Sequence, residues 1–138
     1  MGLFDKCDDT GKLIVRLAVG VLLLLHGISK LKSGVDWLTP MLADHGLPAF
    51  IRYGVYVGEV VAPILLIIGL FSRPAGLVLA INMIVAVLLT RPAEFFALDP
   101  QGGGSKIELE LLFALGGVAV WCLGAGKYSV SRGRGKWD

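Results

Sequence analysis

LIVRLAVGVLLLLHGISKL, residues 13–31, indicates what kind of structure this chain forms. The run is about 19 residues long, which is the length an α-helix needs to cross the hydrocarbon core of a bilayer. Backbone groups inside lipid must form their hydrogen bonds within their own segment, and a strand cannot do this. Residues 13–31 are therefore predicted to form a membrane-spanning helix.

Three further apolar segments of similar length follow, at residues 50–70, 74–90 and 107–124. Together the four segments predict an all-α, polytopic integral membrane protein, a four-helix bundle that forms a single domain over residues 1–138. The composition agrees, because 55% of the residues are hydrophobic and only 17% are charged. A soluble domain of this size could not bury so much apolar surface. The expected surroundings are a lipid bilayer.

The basic residues predict an orientation and argue against one class of partner. An even number of crossings puts both termini on one side, and that side holds eight of the 13 Lys and Arg residues. Positive charge favours the cytoplasmic side, so both termini are expected in the cytoplasm.

The net charge is only +2 and the basic residues are scattered, so no nucleic acid is expected as a partner. Cys7 and Cys122 form no metal-binding or redox motif, and no metal site is predicted.

Ionisable side chains inside the first two predicted helices are candidate functional residues. Each costs roughly 2.5–3.5 kcal/mol at the centre of a membrane helix on insertion scales, so each needs a partner or a purpose. The first helix places His26 and Lys30 on one face, with Arg16 alone towards the cytoplasmic side. The second places four residues within an arc of roughly 60°: Arg52, Tyr56, Glu59 and Pro63. Proline offers no N–H to the carbonyl four residues earlier, so a kink is expected beside Glu59.

The third and fourth helices add an amide and two carboxylates. Asn82 is flanked on its own face by small residues and is expected to hydrogen-bond to a neighbouring helix. Glu108 and Glu110 open the fourth helix about 200° apart, so both cannot point at the same place. Glu110 shares its face with Ala114 and Gly117, a surface suited to helix packing, so the spacing favours Glu110 as the inward carboxylate.

Six of the ionisable residues fall between the midplane and the non-cytoplasmic surface, where they could form one cluster: His26, Lys30, Arg52, Glu59, Glu108 and Glu110. Glu59 and His26 are the candidate catalytic residues, since a mid-membrane carboxylate is costly and histidine titrates near neutral pH. The candidate binding residues are Lys30, Arg52, Tyr56, Asn82, Glu108 and Glu110. Lys30 or Arg52 is expected to pair with Glu59 or Glu110. Structural alternatives stay open: a hydrogen-bonded core role for His26, headgroup contacts for Lys30 and Arg52, and helix packing for Asn82.

Short motifs in a fixed order resemble the DoxX family of small membrane proteins. LHGISKL at residues 25–31 is similar to the family's first-helix hGxxKL signature. GLP at 46–48, GE at 58–59 and GLFSR at 69–73 resemble its G(l/v)P, E and GxxTR blocks. GAGKYSVS at 124–131 is similar to the closing GxGxYSlD, with Ser131 in place of the usual Asp. The resemblance implies a four-helix protein of the bacterial inner membrane. It also favours Glu108 over Glu110 as the inward carboxylate, so both residues stay candidates.

The resemblance implies a functionally mixed group. Some members are quinone-linked subunits of thiosulfate oxidation, and others belong to membrane complexes that link thiol and superoxide defence. We therefore expect the membrane component of a quinone-linked or thiol/oxidative-stress redox system. Quinone is the expected small molecule, and a redox partner subunit or a second copy is the expected protein partner. Two alternatives remain: a non-enzymatic scaffold or assembly partner, and a transporter of a small anion or of protons.

Overall fold

The computed structural model describes residues 2–138, with the side chains of all of these except residues 5 and 6. This part of the chain is all-helical, as predicted. Its helices are α1 (Leu3–Ser33), α2 (Leu38–Asp44), α3 (Ala49–Ile68), α4 (Ser72–Thr90) and α5 (Glu108–Leu123), and a 3₁₀ turn, Pro92–Glu94, follows α4. Helix α1 begins at Leu3 rather than at Leu13. The polar head continues the helix, and Asp8 pairs with Lys12 one turn later at 2.7 Å.

Within residues 2–138, three helices are long and apolar enough to cross a membrane: Cys7–Ser33, Ala49–Ile68 and Ser72–Thr90. Helix α5 has 16 residues, so it is about 24 Å long, whereas the hydrocarbon core is roughly 30 Å thick. The all-α membrane fold is confirmed, and the crossing by a fourth helix stays a prediction. Long apolar side chains on the outer surfaces are exposed, as lipid contact requires; Leu25, Ile81 and Leu112 are examples.

Glycines bring the main helices into close contact. A Cβ added to Gly76 of α4 would lie 2.5 Å from the carbonyl oxygen of Gly117 of α5, so these two backbones touch. A Cβ added to Gly27 of α1 would overlap the carbonyl oxygen of Glu59 and lie 2.7 Å from its carbon. Small residues allow this close packing, which stabilises helix pairs in lipid. The glycine face of α1 is therefore covered by α3 of the same chain.

Helix α3 changes its winding along its length. It begins as a 3₁₀ helix, Ala49–Tyr53, and contains a π-helical turn, Val57–Val61, before it ends as a regular α-helix, Ala62–Ile68. Pro63 cannot donate a hydrogen bond to the Glu59 carbonyl, and a wider turn accommodates the missing bond. The irregularity expected beside Glu59 is thus present as a π-turn. Such turns occur frequently at functional sites.

The short helix α2 packs over one end of the bundle. Leu38 and Leu42 are buried there with Val35, and Ile51 of α3 and Leu89 of α4 pack against them. In the segment between the first two long helices, α2 thus forms about two helical turns. Helix α2 therefore lies beside the ends of α3 and α4 that carry the candidate residues.

Residues 124–138 close the opposite end. Arg16 is completely buried and donates hydrogen bonds to the carbonyl oxygens of Leu66, at 2.9 Å, and of Tyr128. Arg73 donates to the carbonyl oxygens of Trp121 and Cys122 at 2.8 and 2.7 Å. The expectation that Arg16 stands alone was wrong, because its partners are backbone carbonyls of α3 and of the tail.

Candidate functional site

A buried ion pair lies between α1 and α3. Lys30, in the last turn of α1, places its ammonium 2.7 and 2.6 Å from the two carboxylate oxygens of Glu59. Glu59 is only 2% exposed, and it projects from the π-turn of α3. Of the four pairings that the sequence allowed, the structure forms this one. A carboxylate so deep in the protein is stable as an anion only with such a partner.

Two further polar groups complete the surroundings of the pair. The side-chain amide of Asn82, on α4, lies 3.4 Å from Glu59 Oε1. Gly58 gives the amide room, since an added Cβ there would lie 2.7 Å from Asn82 Oδ1. The Tyr56 hydroxyl donates to the backbone carbonyl of Lys30 at 3.3 Å. Three helices thus meet around one carboxylate, and Asn82 takes the cross-helix role expected of it.

A cavity of about 230 Å³, the first cavity, opens on one side of the pair. Most of its wall is apolar, and its polar lining residues are Lys30, Arg52, Glu59, Asn82 and Thr90. Helix α2 and Trp37 border it, together with the beginning of α3. Its α4 wall includes Val78, Ile81 and Val85, which are exposed on the outer surface of the bundle. The first cavity therefore opens towards the lipid.

A second cavity, of about 150 Å³, adjoins the first cavity at the pair. Lys30, Glu59 and Trp37 line both cavities, whereas His26 and Glu110 line only the second one. The exposed His26 ring packs edge-on against Phe113, with 5.9 Å between the ring centroids. The Lys30–Glu59 pair thus borders both a mostly apolar space and a more polar one.

The two carboxylates at the beginning of α5 differ in position. Glu110 is half-buried, borders the second cavity and pairs with Arg91. Glu108 is exposed and borders neither the first nor the second cavity. The structure therefore places Glu110 towards the bundle, in the direction that the residue spacing favours, and Glu108 outside. Glu110 is paired with neither of the basic residues expected for it.

Arg52 lies beside the first cavity but bonds elsewhere. Its guanidinium donates to the hydroxyls of Thr39, at 3.0 Å, and Tyr53, at 2.8 Å, and approaches Asp36 at 3.7 Å. It also packs over the Tyr53 ring, 4.7 Å from the centroid. Arg52 therefore ties the beginning of α3 to the α2 region and does not contact Glu59.

Sequence reasoning missed two contributors to this end of the bundle. Trp37 borders both cavities, although its position near a membrane interface is equally typical of an ordinary aromatic anchor. Arg91, at the end of α4, pairs with Glu110, at the beginning of α5. A signal for that pair was present, because α4 ends where the antiparallel α5 begins, so the two side chains lie at the same level.

This arrangement supports a limited set of chemical tasks. An ammonium, a carboxylate and an amide supply hydrogen-bond donors and an acceptor on the wall of a mostly apolar space. They suit a mostly apolar molecule that carries one or two oxygen atoms. The Glu59 carboxylate can also accept a proton, and Lys30 balances the negative charge of its ionised form.

The fold and these cavities define a polytopic helical membrane protein with an ion pair buried between two spaces. More specifically, the chain belongs to the DoxX family, whose family model matches residues 11–92. The chain is 28% identical over 87 residues to the "Putative oxidoreductase CatD" of Bacillus subtilis, covering 63% of this chain and 64% of CatD. It thus spans less than two thirds of that relative. Over 129 residues it is 30% identical to the "Uncharacterized membrane protein Rv3486" of Mycobacterium tuberculosis, covering 86% of this chain and 77% of Rv3486. No solved structure matches the chain.

Proposed function

We propose that this protein is the quinone-binding membrane component of a thiol-linked redox system in the cytoplasmic (inner) membrane of a bacterium. The observation that carries the proposal is the first cavity, a mostly apolar space that Lys30, Glu59 and Asn82 border and that opens towards lipid. The name of CatD lends support to a redox role, and the assignment to this chain rests on the cavity.

A quinone fits the chemistry of the first cavity. Its ring is flat and mostly apolar, and its carbonyl oxygens accept hydrogen bonds from an ammonium or an amide, which Lys30 and Asn82 offer. A space of about 230 Å³ is smaller than the roughly 300–1,000 Å³ of pockets for drug-sized ligands, so it suits a ring without its tail. The isoprenoid tail would leave past Ile81 and Val85 into the lipid, where both side chains are exposed.

The proposed reaction balances with a thiol as reductant. Two substrate or partner thiols form a disulfide and release two electrons and two protons, and the quinone takes up two of each to become a quinol. Glu59 accepts and donates protons at the ring, and His26, on the second cavity, is the next titratable group. The chain's own Cys7 and Cys122 are free and exposed. Cys122 lies near the end of α5 that is remote from the first cavity, so the thiols come from a substrate or a partner subunit.

The scaffold alternative has less support in the fold. A scaffold would use glycine-rich helix faces for contacts with another copy or another protein, but Gly20 and Gly27 face α3 of the same chain. A Cβ added to Gly20 would lie 2.9 Å from the Ile67 side chain and 3.0 Å from the Pro63 carbonyl oxygen. The space that a partner would need is therefore filled.

The proposal is tested by quinone titration of the purified protein, with Trp37 as the reporter. Quinones quench tryptophan fluorescence at short range, and Trp37 borders the first cavity. In a Trp121→Phe/Trp137→Phe background only Trp37 emits, and a short-tailed ubiquinone or menaquinone analogue is expected to quench it saturably. Glu59→Gln should weaken binding at least tenfold. Quenching that rises linearly without saturation would rule out the site.

A matched pair of glycine variants locates the binding. Gly54 borders the first cavity and Gly11 lies near the beginning of α1, and an added Cβ at either glycine meets nothing within 4 Å. Both substitutions therefore fit the fold, but only Gly54→Leu places a side chain beside the first cavity. We expect Gly54→Leu to abolish saturable quenching and Gly11→Leu to leave it unchanged. Equal affinities in the two variants would place the quinone elsewhere.

A further inference from the structure

The second cavity continues towards the protein surface. A shallow surface recess of about 500 Å³ lies beyond it, bordered by the residues that follow α4 and those that begin α5. Leu109 and Glu110 border both spaces. Glu59 and Glu110 therefore lie on the wall of one cavity, and Glu110 also reaches the recess.

Charged side chains surround the mouth between these two spaces. Arg91 pairs with Glu110 and lies 3.7 Å from Glu94, and Lys106 also lies 3.7 Å from Glu94. The titratable and charged groups that face Glu59 across the second cavity are Lys30 and His26 from α1 and Glu110 from α5. A space of about 150 Å³ with such walls can hold several waters, since one water occupies roughly 30 Å³ and needs two to four polar partners.

We propose that the second cavity is a hydrated path that connects the Glu59 carboxylate to water at the surface recess, with Glu110 at its mouth. This inference rests on the proposed function, because quinone reduction in the first cavity consumes two protons that must reach a buried carboxylate. Protons enter along waters past Glu110 and His26. The quinone and its protons thus approach Glu59 through different cavities, one from lipid and the other from water.

Cysteine accessibility tests the path without any turnover. In a Cys7→Ser/Cys122→Ser background, Met83→Cys puts a thiol on the buried wall of the second cavity, and Leu88→Cys puts one on the exposed outer surface of α4. Methanethiosulfonate ethylammonium reacts with thiolates, which form in water and not in lipid. Met83 is about 10 Å from the end of α4 and Leu88 only about 3 Å, so a dry protein would label Leu88→Cys faster. We expect Met83→Cys in sealed vesicles to react at least tenfold faster than Leu88→Cys. It should do so only when the reagent is added on the side opposite the termini.

Charge selectivity then tests the position of Glu110. We expect Glu110→Gln to lower the reactivity of Met83→Cys towards the cationic reagent, relative to an anionic methanethiosulfonate sulfonate, by about fivefold. Glu108→Gln removes the same charge from the open recess, where solvent screens it, and should change the ratio by less than twofold. Labelling of Met83→Cys no faster than Leu88→Cys overturns the path. If labelling is fast but the ratio of the cationic to the anionic labelling rate is equal in Glu110→Gln and Glu108→Gln, the role of Glu110 is overturned.

The Trp37 titration separates the two proposals. Saturable quenching that Gly54→Leu abolishes reports the first cavity, which Gly54 borders, whereas the cysteine labelling reports the second, which Met83 borders. Loss of quinone binding in the parent protein would defeat the proposed function while the labelling pattern still shows the path. Normal binding with an unreactive Met83→Cys would defeat the path alone.

Discussion

Two basic side chains of helix α1, Arg16 and Lys30, lie towards opposite ends of the bundle and are held differently. Lys30 meets the carboxylate of Glu59, and both residues border two cavities. Arg16 meets the carbonyl oxygens of Leu66 and Tyr128 and is completely buried. A cation held by backbone carbonyls fixes the segments that supply them, whereas a cation paired with a carboxylate beside open space has a partner that can exchange protons. Arg16 therefore has a structural role at its end of the bundle, whereas Lys30 belongs to the end where the proposed chemistry takes place.

The end of α3 explains why an arginine is needed at position 16. Carbonyl groups at a helix C-terminus lack helical partners and carry partial negative charge. Gly69 ends α3 with a φ of +76°, and a Cβ there would collide with the Arg16 side chain. The tail adds its own bonds, from the Val130 N–H to the Ile68 carbonyl at 2.9 Å and from the Ser131 hydroxyl to the Gly69 carbonyl at 3.1 Å. A planar guanidinium can reach two carbonyls at once, which an ammonium does less well.

The largest effect on stability is expected from Arg16→Met. It removes two hydrogen bonds from a charged donor, each worth about 1.5–3 kcal/mol, and leaves the buried Leu66 carbonyl and the partly buried Tyr128 carbonyl without that donor. We expect the free energy of unfolding to fall by about 4 kcal/mol, measured by denaturant titration in mixed micelles. The tail should also become sensitive to carboxypeptidase.

Lys12→Met is the matched control for Arg16→Met. Lys12 is one turn away on the same helix, and its pair with the well-exposed Asp8 is a surface pair worth about 0.3–0.5 kcal/mol. A similar loss of unfolding free energy in the two variants would show that the buried Arg16 contributes no more stability than a surface ion pair. A stable Arg16→Met variant with a protected tail would show that Arg16 does not hold the end of α3 and the tail together.

The next largest effect is expected from Lys30→Met, which leaves Glu59 buried without its cation. Breaking a buried pair from one side costs about 3–5 kcal/mol, and the partly exposed Lys30 head group puts this case near 3 kcal/mol. Replacing both partners, in Lys30→Met/Glu59→Leu, should recover most of that stability because no unpaired charge remains. Quinone binding measured through Trp37 should be lost in the single and the double variant alike.

The exposed neighbour Lys32 supplies the control for Lys30, and Lys32→Met should change neither quantity. If the double variant were both stable and able to bind quinone, the ion pair would be structural, like Arg16. If it were as unstable as the single variant, the pair would contribute more to folding than a buried ion pair normally does.

Features that depend on local sequence were the ones that could be predicted. Apolar runs gave the main helices to within a few residues at most ends, and Pro63 indicated the irregular turn beside Glu59, since both follow from the chemistry of one segment. The 200° between Glu108 and Glu110 indicated that only one could face inward. It could not show that Arg91 pairs with Glu110, although the antiparallel order of α4 and α5 contained that information.

Features that depend on backbone partners from distant segments were missed. The carbonyls that hold Arg16 belong to Leu66 and Tyr128, 50 and 112 residues away along the chain. Every residue has a carbonyl, so no residue type marks which ones bind a guanidinium. The choice of Lys30 over Arg52 as the partner of Glu59 likewise depended on α2, whose Thr39 side chain accepts a hydrogen bond from Arg52. Residues outside the long helices settled that choice.

The smallest of these effects on stability is expected from Gly27→Ala, which tests the contact between α1 and α3 beside Glu59. An added Cβ overlaps the Glu59 carbonyl oxygen and lies 2.7 Å from its carbon, and neither atom can move without the π-turn. Overpacking costs about 1–3 kcal/mol, and the better helix propensity of alanine returns up to about 1 kcal/mol. The net loss should be about 1–2 kcal/mol.

Gly20→Ala is the companion substitution, one helical turn after Arg16. Its Cβ would meet the flexible Ile67 side chain at 2.9 Å and the Pro63 carbonyl oxygen at 3.0 Å, contacts that small shifts can relieve. Its stability should change by less than about 0.5 kcal/mol, because the propensity gain offsets the strain. Gly27→Ala should also weaken quinone binding severalfold, since a displaced π-turn moves Glu59 away from Lys30, whereas Gly20→Ala should not. Equal quinone affinities in the two variants would mean that the proposed site tolerates a shift of α3, and the close contact at Gly27 would then belong to packing alone.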